Sequence, residues 1–179
     1  MFTFFDLDAL TRKHMLDEAN TGGAHATEYF GKRLTTAGQS DWPELIREAI
    51  RTGTPESLTA ALRVNGRIKL REMSQRKGVP NEKDVPSNAA ELLAEGEFNR
   101  YYCRALCLRT LAENRSLTVY RARPSDNPRP ESQAWIGKTV DAKALLEDLR
   151  ENVGGEPALG LPSVNSGLSV RLGEAPSGA

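Results

Sequence analysis

Within ten residues the chain carries two carboxylates and two guanidinium groups, Glu95, Glu97, Arg100 and Arg104. Carboxylates set among arginines can be tuned for acid or base chemistry. Their acid-to-base spacings of three, five, seven and nine fit a structural ion-pair network along one helix better than an active site. Such a network satisfies charges that must be buried and can set register between neighbours. Cys103 and Cys107 lie in the same stretch, in apolar surroundings and with no histidine near them in sequence. Burial raises a thiol pKa, so neither reads as a nucleophile. A mutual bond at a spacing of four has poor geometry, which leaves buried thiols, or a bond to a neighbouring subunit. His14 and His25 are the only histidines, and neither has a second His or Cys at ligand spacing. "GGAHATEYFG" and "NVGGEPALGLP" lack the spacing and the following Lys with Ser or Thr of a phosphate loop. The expectation is therefore no catalytic residue, no metal, no cofactor and no enzyme.

Composition narrows the remaining classes. The 179 residues suffice for one domain with appendages. Lys plus Arg and Asp plus Glu both number 24, so net charge gives no reason to wrap nucleic acid or grip an anionic membrane. No apolar run approaches a membrane span, and Asp6 and Asp8 interrupt any signal-like core, so a cytosolic chain is expected as synthesised. Mean hydropathy is −0.50 with 39% apolar residues, lean for the length, which points to segments outside the core.

The charged cluster sits on "NAAELLAEGEFNRYYCRALCLRTLAEN", a helix predicted from Asn88 to Asn114 with Asn88 as cap and Glu91 reaching back to it. Ala94, Phe98, Tyr101, Ala105, Leu108 and Ala112 form a seam at spacings of four and three, yet Leu92, Leu93, Cys103, Leu106, Cys107 and Leu111 lie off it. A helix apolar nearly all round is buried nearly all round. Gly96 in its interior costs about 1 kcal/mol against Ala, which is expected where another backbone approaches closely.

Around this helix the sequence predicts shorter ones. Asp8 caps the first, through "LDALTRKHMLDEAN", which ends at the Asn20, Gly22 and Gly23 cluster. Asp41 with Pro43 and Glu44 starts "SDWPELIREAI", Thr54-Pro55 starts "TPESLTAALR", and Asn65-Gly66 ends the latter. "RIKLREMSQRKGVPNEKDVPS" is polar and broken by Pro80 and Pro86, so an exposed loop is expected after a short helical start. It has the flavour of a helix-turn-helix, although Glu82 and Asp84 sit where bases would be read. "SLTVYRAR" favours a strand, and "DAKALLEDLRENVGG" is an amphipathic helix stopped at Gly154. The Gly, Ser and Pro-rich end holds one period-two pattern, with Leu168, Val170 and Leu172 directed into a partner and Ser169 and Arg171 outward. The fold expected is mainly α, a small bundle around one long helix. Residues 1–115 form its body, and residues 116–179 an extended arm with one helix and a strand-forming tail.

Three stretches, "NAAELLAEGEFNRYYCRALCLRTL", "VYRAR…NPRPESQAWIGK" and "ALGLPSVNSGLSVRL", resemble a group of small proteins of tailed phages and prophages. In architecture the expected chain is similar to head-to-tail adaptors, which form a ring under the portal and insert C-terminal tails into it. The resemblance implies a virion component, present in the host cytoplasm during assembly, in a homo-oligomeric ring that contacts the portal and other neck proteins. DNA would pass through the lumen without sequence-specific contact, and no membrane is involved. A capsid decoration protein and a phage-encoded DNA-binding regulator are the other classes; subunit stoichiometry and salt-dependent DNA binding separate them.

Overall fold

The computed structural model describes residues 2–21, 29, 31–76, 78–163 and 165–173. His25, Gly22, Gly23 and the last six positions of the tail lie outside them. The described residues form six helices and two small antiparallel sheets, 47% helix and 15% strand. This is an α+β arrangement, which corrects the mainly α expectation.

Helix α1 (Ala9–Asn20) is capped as the sequence predicts, the Asp8 carboxylate accepting from the Thr11 N–H at 2.8 Å. Helix α2 (Thr36–Arg51) begins earlier than predicted. The Thr35 hydroxyl caps it, Pro43 falls inside it, and Asp41 accepts from Arg67 Nε at 2.8 Å instead of capping. Helix α3 (Pro55–Arg63) starts at Thr54 with a reciprocal cap to Ser57. Asn65 and Gly66, both at positive φ, follow its end.

The segment expected to be a loop is a hairpin, β1 (Arg71–Arg76) paired with β2 (Val79–Asp84), turning at Gly78 with φ 79°. Its pairing is polar: Arg71 lies 3.2 Å from Glu82, and Glu72 lies 3.2 Å from Lys83. Glu72 also accepts from Arg33 at 2.7 and 2.9 Å, which anchors the hairpin to the body. A hydrophobic-period argument cannot detect such a strand pair, and a recognition helix has no place in it.

Helix α4 (Ala89–Glu113) is the spine. Asn88 makes no side-chain cap, contrary to expectation, and Asn114 closes the helix in the left-handed region. Seventeen of its 25 residues are buried, because α1, α3, α6 (Ala142–Glu151) and β4 (Leu168–Leu172) pack around it, with α2 and β3 (Leu117–Arg121) adding contacts. Neighbouring subunits are not needed to cover it. Phe98, Tyr101 and Ala105 are buried as predicted, Leu108 is half-buried and Ala112 exposed. A short α5 (Pro130–Gln133) precedes α6.

The C-terminal strand folds back on its own chain. β3 and β4 pair antiparallel, Val119 opposite Val170, and Leu168, Val170 and Leu172 enter the same core as the helices. Ser169 is fully buried and only Arg171 points outward, so the inward and outward assignment holds for Arg171 alone. The Ser169 hydroxyl donates to Asn99 Oδ1 at 2.6 Å, and Asn99 Nδ2 donates to the Leu168 carbonyl at 2.9 Å. The strand is thus tied to α4. No described helix is long and apolar enough to cross a membrane.

Candidate functional site

The N-terminal half of α4 does not bury its whole circumference. Beside it opens a cleft of about 340 Å³. Leu92, Leu93, Glu95, Gly96, Glu97, Asn99 and Arg100 line it from the helix, Phe2 and Arg123 from the side, and Pro162 to Ser163 and Asn165 to Leu168 from the loop before β4. That volume lies at the small end of the range for ligand pockets. Gly96 is exposed here, and a Cβ built on it would meet no described atom within 4 Å. The expected close backbone approach at Gly96 is therefore not made by any described residue. It occurs at Gly38, where a Cβ would collide with the Arg67 carbonyl oxygen.

The predicted network of Glu97, Arg100 and Arg104 is only partly formed. Arg100 donates to the carbonyls of Asn152, at 2.8 Å, and Gly155, and Arg104 donates to that of Leu149. Both guanidinium groups thus serve the C-terminal end of α6, where free carbonyls and the helix dipole favour cations. Arg104 also lies against the Tyr101 ring, 5.3 Å from its centroid. Glu95 pairs with Arg123, a partner that sequence spacing did not reveal because it follows β3. Arg123 further donates to the Asn165 carbonyl at 3.4 Å and lies 5.6 Å from the centroid of the Phe2 ring.

Glu97 is buried in the same stretch. It is 7% exposed, and the ion-pair partner it has among the described residues is Arg100 Nε at 3.6 Å, beyond hydrogen-bond range. Burial pushes its pKa above the usual carboxylate range, against the pull of Arg100 and Arg104. Burial also raises Glu95, opposed by Arg123. The cleft therefore presents two buried carboxylates, each beside an arginine, with Lys32 and Arg33 also on its wall.

The cysteines lie deeper. Burial pushes Cys103 up to about 11 and Cys107 well above its ordinary value. Both are inaccessible inside one subunit, which removes the intersubunit bond and leaves them as packing residues. His14 is half-buried on α1. Among the described residues no group of three or more His, Cys, Asp or Glu side chains is arranged to hold a metal ion. The interaction residues assigned to the tail, Leu168, Val170 and Leu172, face the core and are not presented to a partner.

Compared with known proteins, the chain matches no family model, no curated protein and no solved structure.

Proposed function

We propose that the chain is a self-associating structural subunit that joins neighbouring copies through the β1–β2 hairpin. In the setting implied by the resembling stretches, it serves as a head-to-tail adaptor of a tailed phage. The hairpin is the observation that supports this reading. Every residue of β2 is exposed, and Leu70, Met73 and Val79 are exposed by 86%, 68% and 65%. An isolated two-stranded hairpin is marginal in water, and gains stability from a further strand or a covering surface. Its unpaired strand edges offer main-chain groups for that purpose, while its charges and Pro80 deter indiscriminate pairing. Residues 71–84 hold four basic and three acidic side chains, a mixture that complements a like surface better than it does DNA or an anionic membrane. In a closed ring, each arm meets a different surface of its neighbour.

This reading moves the joining element from the C-terminal strand to the arm. Portal contact, passage of DNA through a lumen and location in the virion remain parts of the proposal. Light scattering on the purified chain tests it. The native chain should run at a multiple of 19.6 kDa, and Met73→Asp with Val79→Asp should reduce it to one. A native chain already monomeric across the concentration range rejects self-association.

A further inference from the structure

The register of the β1–β2 hairpin sets what each of its two edges can receive from a second copy. Leu70 and Val85 continue the pairing of Arg71 with Asp84, and the Val85 N–H donates to the Leu70 carbonyl at 2.9 Å. Hydrogen-bonded pairs alternate with non-bonded pairs along an antiparallel ladder. Glu72 and Ser74 therefore turn their main-chain groups toward β2, whereas Arg71, Met73 and Gln75 turn theirs outward. On β2 the outward positions are Asp84, Glu82 and Pro80, and there a proline costs no ladder bond. The chain just before β1 keeps the same alternation on the same outer edge: the Arg67 carbonyl accepts from the Thr35 N–H, and the Lys69 N–H donates to the Arg33 carbonyl, both at 2.9 Å. Past Lys69 that edge is open, with no backbone hydrogen bond from another described element to Arg71, Met73 or Gln75.

The two edges differ in chemistry. β1 offers an N–H and a carbonyl at each outward position, while β2 lacks the N–H at Pro80. Two β2 edges in full antiparallel overlap would set Glu82 against Glu82, and like charges directly opposite are destabilising. Two β1 edges would set Met73 against Met73 and Arg71 against Gln75, with no ion pair gained. A β1 edge against a β2 edge sets Arg71 opposite Asp84. Both side chains are open to a second partner, 56% and 89% exposed, and within one hairpin they lie 3.9 Å apart, beyond hydrogen-bond range.

We propose, on the footing of self-association through the arm, that the outer edge of β1 pairs antiparallel with the outer edge of β2 in a second copy. The register repeats that of the hairpin itself, with Arg71 opposite Asp84 of the second copy and Met73 opposite its Glu82. Main-chain bonds supply the attraction at every outward position except the N–H missing at Pro80, and the unlike charges select the edge. Such a joint is head-to-tail, so each copy keeps one edge of each kind until a ring closes.

Light scattering on full-length variants tests the pairing, with circular dichroism and thermal midpoint as checks on the fold. Met73→Pro removes an outward N–H and spares the hairpin's own ladder, so its mass should fall toward that of one chain, while Met73→Ala, which keeps the N–H, should lose less. Arg71→Glu sets carboxylate against carboxylate between copies, and Asp84→Arg sets guanidinium against guanidinium. Each alone should associate about tenfold more weakly. An equal mixture of the two should reassemble, because every contact between unlike chains again opposes a cation to an anion. Mixing cannot mend a hairpin frayed within its own chain, so rescue isolates the contact between copies. Unchanged mass in folded Met73→Pro, full association of Asp84→Arg alone, or failure of the mixture to reassemble overturns the edge pairing while an oligomeric native chain keeps self-association standing. A monomeric native chain overturns both.

Discussion

Replacing Gly96 by Ala should stabilise the protein. The residue lies inside α4, in helical backbone that Ala adopts without strain, and an added Cβ meets no described atom within 4 Å. Glycine in a helix interior is about 1 kcal/mol less favourable than alanine, partly because its unfolded chain has more conformations to lose. For a domain of this size, about 1 kcal/mol corresponds to a rise of roughly 2–4 °C in thermal midpoint. Differential scanning calorimetry on the two chains reads that shift directly. Gly38→Ala is the matched control on another helix. There the new methyl collides with the Arg67 carbonyl, so the midpoint should fall. A lower midpoint for Gly96→Ala would refute the open cleft at that position, because only steric conflict can outweigh the gain in helix propensity.

Other perturbations probe the core and the charges. Phe98 is fully buried against Phe4, with ring centroids 5.4 Å apart, and Phe98→Ala should cost about 3–5 kcal/mol in denaturant titration. A chain ending at Gly154 loses β4, whose Leu168, Val170 and Leu172 each contribute about 1.5–3 kcal/mol by burial. Against a total stability of about 5–15 kcal/mol, it should lose cooperative unfolding, and retention of a sharp thermal transition would contradict the internal packing of the strand. Glu97 has its folded pKa raised above the ordinary 4.5, so its contribution to stability is fully present below that pH and is lost as pH rises through the folded value. The midpoint of Glu97→Gln relative to the native chain should therefore climb between pH 4.5 and neutrality; a constant difference would contradict the raised pKa.

What the sequence disclosed depended on whether a local rule governed the residue. Asp8 and Thr54-Pro55 act where the capping rules place them, and α4 spans Ala89–Glu113 against an expected Asn88 to Asn114. Asp41 satisfied the same rule on paper, but Thr35 supplied the cap one and a half turns earlier and Arg67 took the carboxylate. The hairpin escaped notice because ion pairs hold it, and its strands carry no period-two apolar signal. Val119 with Tyr120, and Leu168 with Val170, were legible as strands. Their pairing was not, since it joins segments nearly fifty residues apart and depends on α4 for its cover. At the cleft, the residues from Glu95 to Arg104 were singled out as a cluster. Their partners came from beyond the helix: Arg123 after β3, and the carbonyls of Leu149, Asn152 and Gly155. Spacing along one helix reveals which charges share it, while tertiary packing decides which of them are satisfied.

Self-association through the arm is the central claim, and photo-crosslinking from its tip tests it most directly. Val79→Cys, carrying a thiol-linked benzophenone, places the probe on an exposed side chain while the two native cysteines stay buried. Irradiation should yield a covalent species of twice the chain mass, with the probe joined to a peptide of a second copy. Crosslinks confined to the probe's own chain, in a preparation that light scattering shows to be oligomeric, would contradict the account.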